Sequence, residues 1–372
     1  MRKSFMTKKR ESGIELLRII AIVQVIILHT YSYASVGNAA LEINQAASGF
    51  ASLFWSFCRT PVNVFILITG YFLVTSAFDL KKNIRRATKT YSAMLFYSII
   101  ISLVFFIAAP ALFTEKPANF FRAFLPFFSR EWYFLTDYII ILLLSPVINA
   151  AITKIDKKTY LWLLGILFVV LSVWPTAAEM APFNQVISVT KIVDTEFGKS
   201  LFSFLFMYIL GGFIRRFTSP KNKPQIKYLL AFAGLCILDF SVDLLLHNHP
   251  SVYSDVYGMF NNPLVVIESA MLFLYFRDMR FQNKWINLLG GTTLGVYAIH
   301  EHHLFRTWIW NIFNFEKNGF IVPELFILQI VITCVGLFLV LAFFEILRQK
   351  LFQFIEHFYH SRKQKAASKI IE

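Results

Sequence analysis

Charge is scarce in this sequence. Asp, Glu, Lys and Arg make up 16% of its 372 residues, against roughly a quarter in an average soluble domain. Acids are scarcer than bases, 22 to 36, which leaves a formal net charge of +14. Cysteine is nearly absent: Cys58, Cys236 and Cys334 lie far apart, each in an apolar stretch. That spacing excludes a disulfide framework and a cysteine-built zinc site, and fits small buried hydrophobes. No internal repeat is visible, which counts against transporters built from inverted repeats. The stretches between apolar runs are too short for a soluble catalytic module.

Apolar residues dominate instead. They make up 57% of the chain, which holds 42 Phe, 15 Tyr and 7 Trp, and the mean hydropathy is +0.59. One soluble core of this size cannot hide so much apolar surface. A cytosolic enzyme and a disordered chain are excluded, and an integral membrane protein is left. A bilayer-spanning helix needs about 20 mostly apolar residues. Ten segments qualify as candidates, at residues 14–34, 53–77, 91–112, 132–151, 160–175, 201–214, 228–246, 263–276, 286–305 and 324–347. The first comes after a basic run, as a signal peptide would. It carries Glu15, Arg18 and His29 and no small-residue cleavage site, so it is read as a span.

The positive charge has an address. Of the 36 Lys and Arg, 27 fall in the two tails and in the loops after spans two, four, six and eight. Seven fall in the opposite loops: Lys116, Arg122, Arg130, Lys191, Lys199, Arg306 and Lys317. The positive-inside rule then puts both termini in the cytoplasm. The chain divides into a basic tail (1–12), a membrane domain (13–347) and a second basic tail (348–372). The tails are expected to meet anionic lipid, and no nucleic-acid partner is expected. The outer stretches, 113–131, 176–200 and 247–262, are long enough for a lid or an interfacial helix.

Ionisable residues inside a span are costly and mark functional candidates. Arg18 and His29 are eleven residues apart, close to three helical turns, so they share a face about 16 Å apart along the axis. Glu15, three residues before Arg18, can pair with it. An Arg at the cytoplasmic mouth suits the phosphates of a nucleotide-like donor. A neutral His deeper on that face suits general-base work. The bland alternatives are a snorkelling Arg18 and a His29 bonded to a neighbouring helix. Span two opens with Arg59 near the depth of His29, and Asn63 comes one turn later. Arg59 is a candidate for binding substrate or steadying an oxyanion, and Gly70 for close helix packing.

These segments resemble the acyltransferase 3 family of membrane acyltransferases. The family's opening mark is an acidic residue, an Arg three later, then ten residues and a His, as in Glu15, Arg18 and His29. Its second block is similar to Arg59, Phe65 and Thr69-Gly70-Tyr71, with Ile66 and Thr69 in place of Phe and Ser. Glu131-Trp132-Tyr133-Phe134-Leu135 with Pro146, and Gly295-Val-Tyr297-Ala-Ile-His300, resemble two later blocks. Glu131 stands where a His is common. The resemblance implies O-acyl transfer, most often acetyl from acetyl-CoA, onto a carbohydrate of the cell surface. Some members carry an extra hydrolase-like domain. None is legible here, so the acyl group is expected to pass directly to the acceptor or to a separate protein.

The expected fold is all-α, a polytopic bundle in the cell membrane with ten spans. His29 and Arg59 are the expected catalytic residues. Arg18 and Glu15 are expected at the acetyl-CoA donor, and Trp132, His300 and Asn63 at the carbohydrate acceptor. His300-Glu301-His302-His303 lacks the spacing of a helical zinc motif, so no metal is expected. Asp239 and Asp243 fit a proton relay or a structural pair equally well, and Asp137 and Glu268 have no assigned role. A transporter or flippase of a sugar-containing or small metabolite is the main alternative.

Overall fold

The computed structural model describes residues 10–76, 78–110, 121–180, 186, 196–247 and 259–371. Among them every regular element is helical and no strand forms. Arg2, Lys3, Lys8, Lys9, Lys116, Lys191 and parts of all three outer stretches lie outside the described residues.

Helix α1 (Ser12–Tyr33) is the central element. Two thirds (67%) of its most apolar window is buried, against 17% for the peripheral helix over residues 226–245. After α1 come α2 (Val36–Ile43) and α3 (Gln45–Ser56), the latter capped by Asn44, which accepts from the Ala47 amide. The chain then breaks and restarts as α4 (Pro61–Leu73). Pro at a first helical position sacrifices no hydrogen bond. In lipid, an interrupted backbone needs protein partners. Gln24 of α1 supplies one, donating through Nε2 to the Phe57 carbonyl at 2.7 Å. Arg59 therefore sits in a break between helices and not within one.

Helix α5 (Leu80–Ala108) starts at Asp79, which accepts from the Lys82 amide. Helix α6 (Tyr133–Ile152) carries Pro146 in its interior. A proline there leaves the carbonyl four residues back without its helical donor. That carbonyl belongs to Leu142, and it accepts from Asn83 Nδ2 and Ser145 Oγ, each at 2.9 Å. Helix α7 (Lys157–Phe168) runs through a π turn (Val169–Val173) into α8 (Trp174–Glu179). Then come α9 (Leu201–Phe217), α10 (Ile226–His247) and α11 (Pro263–Arg277).

The predicted ninth span is not one helix. It is divided into α12 (Lys284–Gly290), α13 (Thr293–His300) and α14 (His303–Ile312). After the short α15 (Phe315–Asn318), α16 runs from Phe326 to Ile371, 46 residues. At 1.5 Å per residue that is roughly 69 Å, about twice a bilayer core, so the helix continues well past the predicted domain boundary at residue 347.

Among the described residues, seven helical stretches are long and apolar enough to cross a membrane: residues 12–33, 45–73, 80–108, 133–152, 157–179, 226–245 and 323–359. Of the other three predicted spans, α9 has 17 residues, α11 has 15, and the ninth is divided.

Helices α4 and α9 approach backbone to backbone. A Cβ on Gly70 would stand 2.8 Å from the Tyr208 carbonyl carbon, and one on Gly211 would stand 2.9 Å from the Tyr71 amide nitrogen. Two small residues thus let two backbones touch, which is how helices associate when lipid and side chain are equally apolar. The buried hydrophobics form two clusters. One gathers α5, α13, α14 and α16 around the later half of α1; the other gathers α4, α9 and α11 around its start. Phe65, Phe134, Tyr138 and Phe260 pack against both.

Filling the α4–α9 contact should unfold the pair. Gly70→Leu and Gly211→Leu force side chain into backbone, so the usual overpacking cost of about 1–3 kcal/mol is a lower bound. Both should lower the thermal unfolding midpoint in detergent and lose the monodisperse peak on size exclusion. Gly234→Ala, with nothing within 4 Å of the added carbon, should keep both.

Candidate active site

The seam between the two clusters holds a cavity of about 440 Å³. Along α1 it is lined by Arg18, Val25, Leu28, His29, Ser32 and Tyr33, one face of the helix. Arg10, Gly290, Gly291 and Thr293 join it at the Arg18 end. Trp55, Tyr133, Lys199, Phe260 and Glu301 join it toward the His29 end. Arg18 is held by Glu15, with Nη1 3.2 Å from Oε1, and Arg10 lies 3.8 Å from the same carboxylate. Glu15 is itself buried against Gly290, where an added Cβ would stand 2.8 Å from the Glu15 Cβ.

The His29 end is built by the break between α13 and α14. Four consecutive residues part in two directions there. His300 and Glu301 face α1, while His302 and His303 face Glu131. His300 Nδ1 lies 2.9 Å from the Val296 carbonyl oxygen. That oxygen can only accept, so Nδ1 carries the hydrogen and Nε2 presents a lone pair. His29 Nδ1 lies 3.0 Å from His300 Nε2 and must be its donor. The neutral His29 ring is thereby left with its lone pair on Nε2. Glu301 Oε2 is also 3.0 Å from His29 Nδ1, and Arg306 donates to Glu301 Oε1 at 2.6 Å. An imidazolium formed at His29 would meet a carboxylate already in place.

The other two histidines make a separate group. His303 donates to Glu131 Oε1 through its amide at 2.9 Å, and its Nδ1 lies 2.7 Å from the same oxygen. Glu131 lies just before α6. Burial works to raise its pKa, but the hydrogen bond from His303 and the two neighbouring histidines outweigh that and hold it below the ordinary range. The donor atoms of Glu131, His302 and His303 lie within 4.8 Å of one another, as do those of His29, His300 and Glu301. Either set could receive a cation. In each, the third group comes from a distant part of the chain, which a search for local zinc spacing does not reach.

Five predicted site residues lie off the cavity lining, among them Glu15, which is buried and pairs with Arg18. Arg59 is 1% exposed. Its guanidinium pairs with Asp239, donates to the Met259 carbonyl and lies 5.0 Å over the Trp55 ring. Asn63 is buried and donates to the Phe260 carbonyl at 2.7 Å. Trp132 is 0% exposed, with its edge against His302, so no face is open to a sugar. His300 is also fully buried and stands behind His29. Asp239, one half of the proposed relay, is committed to Arg59.

The same ordered blocks lie within one domain type. The family model for acyltransferase 3, described as an acyltransferase domain, matches residues 11–346. The chain belongs to the acyltransferase 3 family. No curated protein and no solved structure matches it. Family membership makes this a multi-pass membrane acyltransferase.

In this acyltransferase several residues that line or flank the cavity carry little or no signal in the sequence. Glu301 sits inside the His-Glu-His-His run, where it reads only as part of a metal motif. Arg306 comes five residues later. Trp55, Lys199 and Phe260 carry no spacing signal, and Tyr133 reads only as part of the family-like block that begins at Glu131. Glu345 is a further buried group: it pairs with Arg348 at 2.7 Å and accepts from Tyr97 and Gln349. Gly295 makes room for it, since a Cβ there would stand 2.6 Å from its Cγ.

Removing one half of the Arg59–Asp239 pair strands a buried charge, which typically costs about 3–5 kcal/mol, whereas an apolar pair of similar volume is often tolerated. Arg59→Met should therefore lower the unfolding midpoint sharply, and Arg59→Met with Asp239→Leu should recover much of the loss. A double variant no more stable than the single would show that the pair is not the source of the effect.

Proposed function

We propose that the chain transfers an acyl group, acetyl above all, from cytoplasmic acetyl-CoA to a hydroxyl of a cell-surface or lipid-linked carbohydrate at the cell membrane. The observation that carries this reading is one cavity with Arg18 and His29 on the same face of α1, in a chain of the acyltransferase 3 family. Arg18, oriented by Glu15, grips the donor phosphates through its two-pronged guanidinium, and Arg10 adds a second positive charge. The pantetheine arm lies along α1, whose two polar residues are about 16 Å apart.

His29 then acts as general base. Its free Nε2 takes the proton from the acceptor hydroxyl as that oxygen attacks the thioester carbonyl. The new C–O bond forms, the C–S bond breaks, and His29 returns the proton to the departing thiolate. Glu301, neutralised in part by Arg306, steadies the imidazolium between those steps. His300 fixes the ring through its contact with Nδ1, so its role is positioning. Arg59 and Asn63 act at one remove as well, by holding Trp55 and Phe260 where the cavity meets them.

General acid–base groups of this kind contribute roughly 10²–10⁴-fold. Purified full-length protein in nanodiscs, supplied with labelled acetyl-CoA and a carbohydrate acceptor, should transfer label. His29→Ala and Arg18→Ala should abolish transfer while the protein inserts normally. Glu301→Gln should lower kcat by about 10²-fold or more. Wild-type-like transfer by a correctly inserted His29→Ala protein would overturn the mechanism. In cells, deleting the gene should remove O-acetyl signals from the NMR spectra of surface glycans; unchanged glycans would point to a small-molecule acceptor.

A further inference from the structure

Besides Arg59, which Asp239 neutralises, three cations among the described residues stand around the His29 end of the cavity, and two of them are neutralised. Arg306 is paired with Glu301 at 2.6 Å. Arg130 is gripped by Glu196 through two contacts of 3.2 and 3.3 Å and lies 3.8 Å from Asp137. Lys199 is the third. It lines the cavity, is exposed, and has no carboxylate partner among the described residues. Its ammonium lies 6.0 Å from the Tyr133 ring centre and 5.7 Å from that of Phe260. Both rings line the same cavity.

The backbone under Lys199 is fixed. Phe260 donates its amide to the Phe197 carbonyl at 2.9 Å. Gly198 takes φ +88 there, and an added Cβ would stand 2.6 Å from the Asn261 amide. Left-handed backbone and close approach together require glycine at that point. The lysine is thus presented from a pinned turn, beside two aromatic rings, at the end of the cavity that holds the base.

Aromatic faces suit the apolar face of a sugar ring. An unneutralised ammonium beside them suits an oxyanion on that sugar, and a charge-assisted contact of this kind is about twice as strong as a neutral one. We propose that Lys199, Tyr133 and Phe260 form the acceptor subsite, and that it takes a sugar bearing an oxyanion, a uronate carboxylate or a sugar phosphate. The proposal rests on the acyl-transfer reading above and narrows its acceptor to an acidic sugar.

The test uses full-length protein in nanodiscs and three sugars: methyl glucuronide, glucose 1-phosphate and neutral methyl glucoside. Saturation-transfer NMR without donor reads binding, and labelled acetyl-CoA reads transfer. At least one charged sugar should bind and be acetylated with a KM about tenfold or more below that of the glucoside. Which one does so identifies the oxyanion. Lys199→Met should raise that KM by a similar factor and so abolish the preference for the charged sugar. Lys199→Arg should restore the preference and so exclude misfolding. Equal binding of charged and neutral sugars, no binding of either charged sugar, or a charged-sugar KM unmoved by Lys199→Met would overturn the subsite. Transfer that stays dependent on His29 in those cases leaves the acyl-transfer reading standing. Lys199-dependent binding without any acetyl transfer would instead overturn that reading and spare the subsite.

Discussion

A cation in an apolar bundle has to be neutralised where it lies, and much of this structure stems from that requirement. Leaving a buried charge unpaired costs more than most other contacts can offset. Arg18, Arg277, Arg306 and Arg348 each find a carboxylate within five residues along the chain: Glu15, Asp278, Glu301 and Glu345. Such pairs are made locally and then packed as units. Arg59 is different, because its carboxylate, Asp239, lies 180 residues away. That pair holds the break before α4 against α10. The Glu345 carboxylate also needs space, which Gly295 leaves, and a hydroxyl, which Tyr97 donates. Charge neutralisation thus dictates where small residues are required and which helices become neighbours.

Interrupted helices serve the same end. A continuous helix satisfies its own backbone and presents little but side chains. Breaks at residues 57–60 and 301–302 expose backbone that neighbours must satisfy, and Gln24 does so at the first. In return, side chains at the breaks leave the helical repeat and reach groups on other helices. His300, Glu301, His302 and His303 could not divide between α1 and Glu131 from within an unbroken helix.

The parts legible in the sequence are those governed by short-range geometry. The shared face of Arg18 and His29 comes from the 3.6-residue period, and both line the cavity. Gly70 reads as a packing glycine because it sits mid-span among large residues, and Tyr208 lies against it. The misreadings have a common cause: the deciding neighbour is remote in the chain. Arg59 reads as facing substrate because its partner cannot be seen at a separation of 180 residues. Trp132 reads as a sugar platform because an interfacial tryptophan and a buried one share the same apolar flanks. The ninth span reads as continuous because Gly290-Gly291 and the His-Glu-His-His run barely lower the apolar content of the window. Depth alone puts His300 at the acceptor, whereas its ring stands behind His29.

The division at His300–His303 also imposes a rule of length. Each residue added to a helix turns the residues beyond it by about 100°. One insertion before His300 would rotate His300 and Glu301 away from His29. One insertion after Glu301 would leave that pair in place and detach His303 from Glu131. The second group can therefore be detached by insertion without moving the first, although they occupy adjacent positions. The segment thus depends on its residue count as well as on its side chains. With His29 on α1 and Glu301 just past the end of α13, that count is what keeps the two in register.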